Sequence, residues 1–202
     1  MDWLNLVVRF LHVITGIAWI GASFYFIWLD NHLETPPQWK KEKGIKGDLW
    51  AIHGGGFYEV AKYQLAPPQM PKNLHWFKWE AYSTWLTGFV LLILMYYVDA
   101  QAYLIDKNVA DITQFQAIMI GLGTIAISWI IYEVLNHFIG LKSPMLLGIL
   151  LLVLGTVLAW GLSQWFSARG AYIHVGAVIG TIMAGNVFRG IIPAQKALVQ
   201  AV

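Results

Sequence analysis

Five long apolar runs, separated by short polar turns and one long polar loop, set the pattern of this chain. They cover about 3 to 29, 79 to 99, 113 to 137, 144 to 166 and 170 to 192, and each as a helix can cross roughly 30 Å of hydrocarbon at 1.5 Å per residue. Backbone groups in lipid must pair within their own segment, so such runs predict helices. The expected fold class is therefore all-α: a polytopic transmembrane bundle of about five spans, with a long, partly helical cytoplasmic loop over 30–78. The first run ends without a small-residue cleavage site and reads as a retained span. Within the runs, Gly121, Gly123, Gly148 and Gly155 permit close helix approach, and Gly176, Gly180 and Ala184, each four apart, predict a packing face.

Composition strengthens this picture. Of 202 residues, 58% are hydrophobic and 12% charged, where a soluble domain carries about 25% charged residues. A net charge of +2 without a long basic run gives no reason to expect nucleic acid as a partner; the lipid bilayer is the expected one. The chain has no cysteine, which excludes disulfides, thiolate metal sites and a CxxCH attachment site for c-type haem. Any iron would be held by His, Met, Tyr or carboxylate.

Basic residues set the expected orientation. The 30–78 loop, the 138–143 turn and the C-terminal end hold ten Lys and Arg, while the other side holds Arg9, Lys107 and Arg169. The positive-inside rule then puts the N-terminus outside and the long loop in the cytoplasm. No repeat or composition break divides the chain, so residues 1–202 read as a single membrane domain. Its bare ending after Pro193 suggests the N-terminal part of a larger protein, or completion by partner chains, self-association included.

Candidate chemistry falls at two poles. Near the outer pole, Arg9, His12 and Trp19 share a face of the first span, with His12 about 13 Å deep. An ionisable side chain at that depth is a functional-site candidate by default. His174, also in an outer half, lies on a face with small residues. An imidazole for iron and a flat wall for a porphyrin are what a b-type haem needs, so His12 and His174 are the candidate axial ligands and Arg9 a candidate propionate partner. The competing reading makes both histidines interhelical hydrogen-bonding residues.

At the inner pole, LHWFKWEAYSTW leads into the second span through His75, Trp76, Lys78, Trp79 and Glu80, where the tryptophans also suit an interfacial belt. Glu133 and His137 stand four apart at the end of the third span, which suits a carboxylate orienting an imidazole, or merely two polar residues at a membrane exit. WAIHGGGFYEVAKY, within the long loop, joins His53 to Gly54, Gly55 and Gly56, with Lys62 beyond. Its uncovered amides would admit a planar or anionic ligand. Alternatively the glycines are a hinge before a short amphipathic helix bearing Phe57, Val60, Ala61 and Leu65. Its spacing matches no nucleotide-binding fingerprint.

Three stretches in order, LHVITGIAWIGASFYFIWLDN, LWAIHGGGFYEVAKY and LHWFKWEAYSTWLTG, together resemble the N-terminal membrane domain of the integral-membrane urate hydroxylase family. The first span alone is similar, more weakly, to a protoporphyrinogen oxidase family. The first resemblance implies oxidation of urate to 5-hydroxyisourate in a bacterial-type inner membrane. It also implies electron transfer to a c-type cytochrome, fused or separate, whose haem lies outside this chain. Combined with the residue reading, it makes His53 and Glu80 the candidate catalytic groups. Gly54, Gly55, Gly56, Lys62, His75, Trp76, Lys78 and Trp79 become the candidate urate contacts, while haem b lies at His12 and His174 beside Arg9 and Trp19. Two alternatives stand against it: a haem-binding electron-transfer subunit or porphyrinogen oxidase, and a non-catalytic transport or assembly protein.

Overall fold

The structure, a computed structural model, describes residues 2–202. Helix dominates, as the apolar runs predict. Helix α1 (Asp2–His32) leads to a single turn, α2 (Gln38–Lys41), and a hairpin of β1 (Ile45–His53) and β2 (Gly56–Tyr63). Then come α3 (Trp79–Leu92), the turn α4 (Ala100–Tyr103), α5 (Gln114–Leu135), α6 (Pro144–Ser163), α7 (Ala168–Asn186) and α8 (Ile192–Gln200). Three π turns, Ile93–Tyr97, Asn136–Gly140 and Val187–Ile191, continue α3, α5 and α7 without a break.

Local chemistry explains several ends. The Thr113 hydroxyl and the Gln116 side chain form a reciprocal capping box at the start of α5, an arrangement in which the cap alone contributes about 1 kcal/mol. Pro144 opens α6 at a position where no intrahelical N–H is needed. Ser167 accepts from the Gly170 amide to cap α7 and donates to the Tyr103 carbonyl, tying that cap to α4.

Four helices are long and apolar enough to cross a membrane: Trp3–His32, Gln114–Gly140, Pro144–Ser163 and Ala168–Gln200. The expected run at 79–99 is helical from Trp79 to Tyr97, but Glu80, Ser83, Thr84 and Thr87 make its first half polar. The hydroxyls of Ser83, Thr84 and Thr87 donate to carbonyls one turn earlier, so this polarity is satisfied within the helix. Large apolar side chains such as Phe10, Ile17, Leu152 and Trp160 point outward, the arrangement expected where lipid is the solvent.

Helix α3 is central. It packs against α1 on one side and α7 on the other, and α7 packs in turn against α5 and α6. The main core lies at the C-terminal end of α3 and in the π turn that follows it, where Leu92, Tyr96 and Tyr97 meet Leu104, Phe166 and Val178. Gly121 allows close approach of α5 to α7, since a Cβ there would lie 2.6 Å from His174 Nε2. The face of Gly176, Gly180 and Ala184 is not one packing seam. Ala184 is buried, whereas a Cβ on Gly176 or Gly180 would meet nothing within 4 Å, because these two glycines border a cavity.

The long loop departs most from expectation. Residues 57–63 form strand β2 instead of an amphipathic helix, and a strand does precede the glycines. The reason is turn chemistry: Gly54 and Gly55 have φ of 57° and 81°, the pair of positive values that a two-residue type I′ hairpin requires. His53 pairs with Gly56, and the ladder runs back to Ile45 and Tyr63. Only α2 and its flanking turn make the loop partly helical.

Candidate functional site

Among the described residues, one pair of cavities between the helices differs sharply in lining. The larger, about 1000 Å³ between α5, α6 and α7, is lined by residues such as Ile127, Leu152, Val175 and Ile182, with no ionisable side chain but Tyr132. The smaller, about 580 Å³, holds the chemistry. Helices α1 and α7 both lean on α3, and this cavity is the space left between them. Arg9, His12 and Trp19 line it from α1, Trp85, Gly88, Phe89 and Met95 from the α3 segment, and Arg169, Gly176, Ala177 and Gly180 from α7.

His12 is held firmly. Its Nδ1 lies 3.1 Å from the Thr84 carbonyl oxygen and 3.1 Å from Thr87 Oγ1. A carbonyl can only accept, so Nδ1 carries the proton and Nε2 is left with its lone pair. This is how proteins orient a histidine that binds a metal through the other nitrogen. Gly88 makes the fit possible: a Cβ there would lie 2.9 Å from His12 Cε1.

Two arginines, Arg9 and Arg169, line one end of the cavity. Arg9 approaches Met95 Sδ at 3.2 Å, and Arg169 Nε donates to Tyr96 Oη at 3.0 Å with its guanidinium 4.8 Å from the Tyr103 ring. Guanidinium groups contributed by α1 and α7 to one cavity suit a ligand with paired carboxylates. Sequence reasoning found Arg9 but left Arg169 as a loop charge; only the packing of α7 against α3 brings it to the same cavity. Thr84, Thr87 and Gly88 were missed for the same reason, because the only sequence signal was a polar half-span.

His174 lies elsewhere, and its pairing with His12 as a second ligand is not what the packing provides. It is 0% exposed, with Nδ1 on the Gly170 carbonyl at 2.8 Å and Nε2 on Tyr97 Oη at 3.1 Å. Phe166 packs on it at 4.9 Å, and its imidazole edge meets α5 at Gly121, away from the cavity.

The inner-pole candidates separate into two groups. His75, Trp76 and Glu80 come together at the start of α3. His75 Nε2 lies 3.6 Å from Glu80 Oε1, and Glu80 Oε2 is buried with no hydrogen-bond partner among the described residues. Trp76 packs with Tyr82 and Trp19 around Ala81, Val187 and Ile192. Trp19 therefore joins this cluster to the cavity of His12. Lys78 immediately precedes α3, and Trp79 is exposed, edge-on to Tyr82.

His53, Gly54, Gly55 and Gly56 sit instead at the exposed tip of the hairpin, flanked by Trp50, Ile52 and Phe57, the last 80% exposed. The hairpin is anchored at its base, where Lys62 pairs with Asp30 at 2.6 Å and Asp48 bridges to Glu34. The tip is five residues beyond Asp48, about 17 Å of strand. Lys40 is buried between Asp48 and Glu59, and the hydrogen bonds its ammonium donates to both carboxylates hold its pKa above the usual 10.5. At the far end of α5, Glu133 and His137 form no ion pair among those of the described residues. The π turn starting at Asn136 widens the helix there, so a four-residue spacing no longer stacks the two. Asn186 and Tyr132 are hydrogen-bonded at that end.

The fold and the cavity define a helical protein built for a membrane, with a histidine and paired arginines facing a space between three helices. Among the described residues no three His, Asp or Glu side chains are grouped to hold a bare metal ion. The chain belongs to the urate oxidase N-terminal family, whose pattern it matches over residues 1–202. No curated protein and no solved structure matches it.

Proposed function

We propose that this chain is the membrane module of a urate hydroxylase, which oxidises urate to 5-hydroxyisourate and delivers the electrons to a c-type cytochrome. The family supplies the urate-oxidising context. The observation that carries the redox reading is His12, with Nδ1 fixed by Thr84 and Thr87 and Nε2 free, in a cavity flanked by Arg9 and Arg169. These residues fit a b-type haem: His12 would hold the iron, the arginines would pair with the propionates, and Trp85, Phe89 and Trp19 would line the ring. When bound, the haem supplies one-electron chemistry.

The chain's own groups supply the rest. Conversion of urate and water to 5-hydroxyisourate releases two electrons and two protons. Glu80, with a buried unpartnered oxygen beside His75, is the group placed to accept a proton, and Trp76 offers a face for a planar purine. Trp19 links that cluster to the cavity, which keeps the two halves of the chemistry adjacent. His53, the glycine turn and Lys62 belong to the hairpin; their role in this reading is to shape the cytoplasmic approach, with the N-terminus outside.

The test is an absorption spectrum of purified protein expressed with adequate haem, followed by urate. A Soret band lost in His12→Ala and reduced on adding urate is expected. A bandless protein would sink the haem assignment, and a haem that responds to a porphyrinogen but never to urate would sink the substrate.

A further inference from the structure

We infer that, among the described residues, His12 is the only protein ligand this cavity offers to a haem, and that the opposite wall, formed by Gly176, Ala177 and Gly180 of α7, leaves the other face of the iron open to a small neutral ligand. The inference rests on the haem reading above and sharpens it. It makes the site one that binds at the metal, in contrast to a bis-histidine relay whose positions are both filled.

Three observations carry it. First, the level of His12 along α3 is marked by Thr84 and Gly88, and the same level on α7 is marked by Thr181, whose Oγ1 accepts from Trp85 Nε1 at 3.0 Å. Gly180 and Ala177 are therefore across the cavity from the imidazole, and a Cβ at Gly180 or Gly176 would project into open space. Second, His174, the other candidate iron ligand, is committed. His174 spends both ring nitrogens on Gly170 and Tyr97 and faces α5. Third, the other soft or phenolic donors lie at the wrong height. Met95 follows Gly88 by seven residues, about 10 Å of helix toward the outer end, and its sulfur is engaged by Arg9. Tyr96, one residue further, has its hydroxyl engaged by Arg169.

A wall of glycine and alanine presents no charged group to that face. The Thr181 hydroxyl retains its proton for donation, so a small neutral ligand with an accepting end is the class that fits.

The experiment is carbon monoxide binding to the reduced, haem-loaded full chain in detergent, with the ferric spin state read by absorption and electron paramagnetic resonance. A high-spin ferric spectrum and a Soret shift on adding carbon monoxide are expected, both retained in His174→Gln. In Gly176→Leu and Gly180→Leu, which fill the open face, the carbon monoxide shift of the bound haem should be lost. A low-spin ferric spectrum that turns high-spin in His174→Gln or Met95→Leu would overturn the inference by naming a second ligand, while leaving the haem reading intact. Unhindered carbon monoxide binding in both leucine variants would overturn the assignment of the open face. A protein without a Soret band removes the haem reading and this inference together.

Discussion

At the scale of single residues, the site depends on what is missing from Gly88. Its hydrogen leaves room for the His12 ring, and a methyl group there would sit 2.9 Å from Cε1, closer than carbon atoms tolerate. Because His12 is held by Thr84 and Thr87, the ring has to break those bonds to escape. Gly88→Ala is therefore expected to lose or shift the Soret band while the helix itself gains propensity. Gly123→Ala is the control: nothing lies within 4 Å of that position, and Ala in place of Gly favours a helix by about 1 kcal/mol. Equal spectra in the two variants would count against His12 as ligand.

His12 was legible as a candidate from its depth in an apolar run, where the cost of an ionisable group demands a reason. Its hydrogen-bond partners were not, since Thr84 and Thr87 lie on another helix with no signature beyond their polarity. His174 shows the opposite failure. Depth alone cannot distinguish a histidine that faces a cavity from one that satisfies a buried tyrosine hydroxyl.

Among the elements, the hairpin holds together through one buried lysine. Lys40, on α2, lies between Asp48 of β1 and Glu59 of β2, so a single ammonium joins three elements. Lys40→Met would leave Asp48 buried without its partner, and loss of a partner costs more than the pair contributes. Faster proteolysis within 38–63, with the helices unaffected, is the expected result. The pH dependence follows from the raised pKa of Lys40. The charged form is favoured by folding, so its contribution is fully present below about pH 10.5 and is lost as pH rises through the folded value. Hairpin protection measured across the alkaline range should fall there in the native chain and show no such Lys40 transition in Lys40→Met.

The hairpin itself was hard to read because β1 and β2 do not alternate cleanly between apolar and polar. In an apolar-rich loop beside a membrane, the same residues also suit an amphipathic helix. The deciding feature was the pair of glycines able to take positive φ, a turn signal whose strand context was not recognised.

For the whole molecule, orientation decides which solution each pole meets. The native chain has no cysteine, so single cysteines report position without background. Lys107→Cys and Lys46→Cys replace exposed residues at opposite ends of the bundle. In intact cells a membrane-impermeant maleimide is expected to label position 107, and to label position 46 only after lysis. The reverse pattern would place the hairpin, Glu80 and His75 outside and require urate to be oxidised there.

What the sequence determined by itself is the solvent of each segment. Apolar runs of membrane length, polar turns and the distribution of Lys and Arg act locally, through transfer free energy and backbone hydrogen bonding, and so they read directly from the chain as a helical membrane protein. The tertiary structure alone decided which polar groups meet. Helix rotation, the gap between α1 and α7, and the π turns that shift the register at the ends of α3, α5 and α7 depend on packing between residues far apart in sequence. That packing places Arg169 with Arg9 and His12 at one cavity, while it turns His174 into the core beside Tyr97.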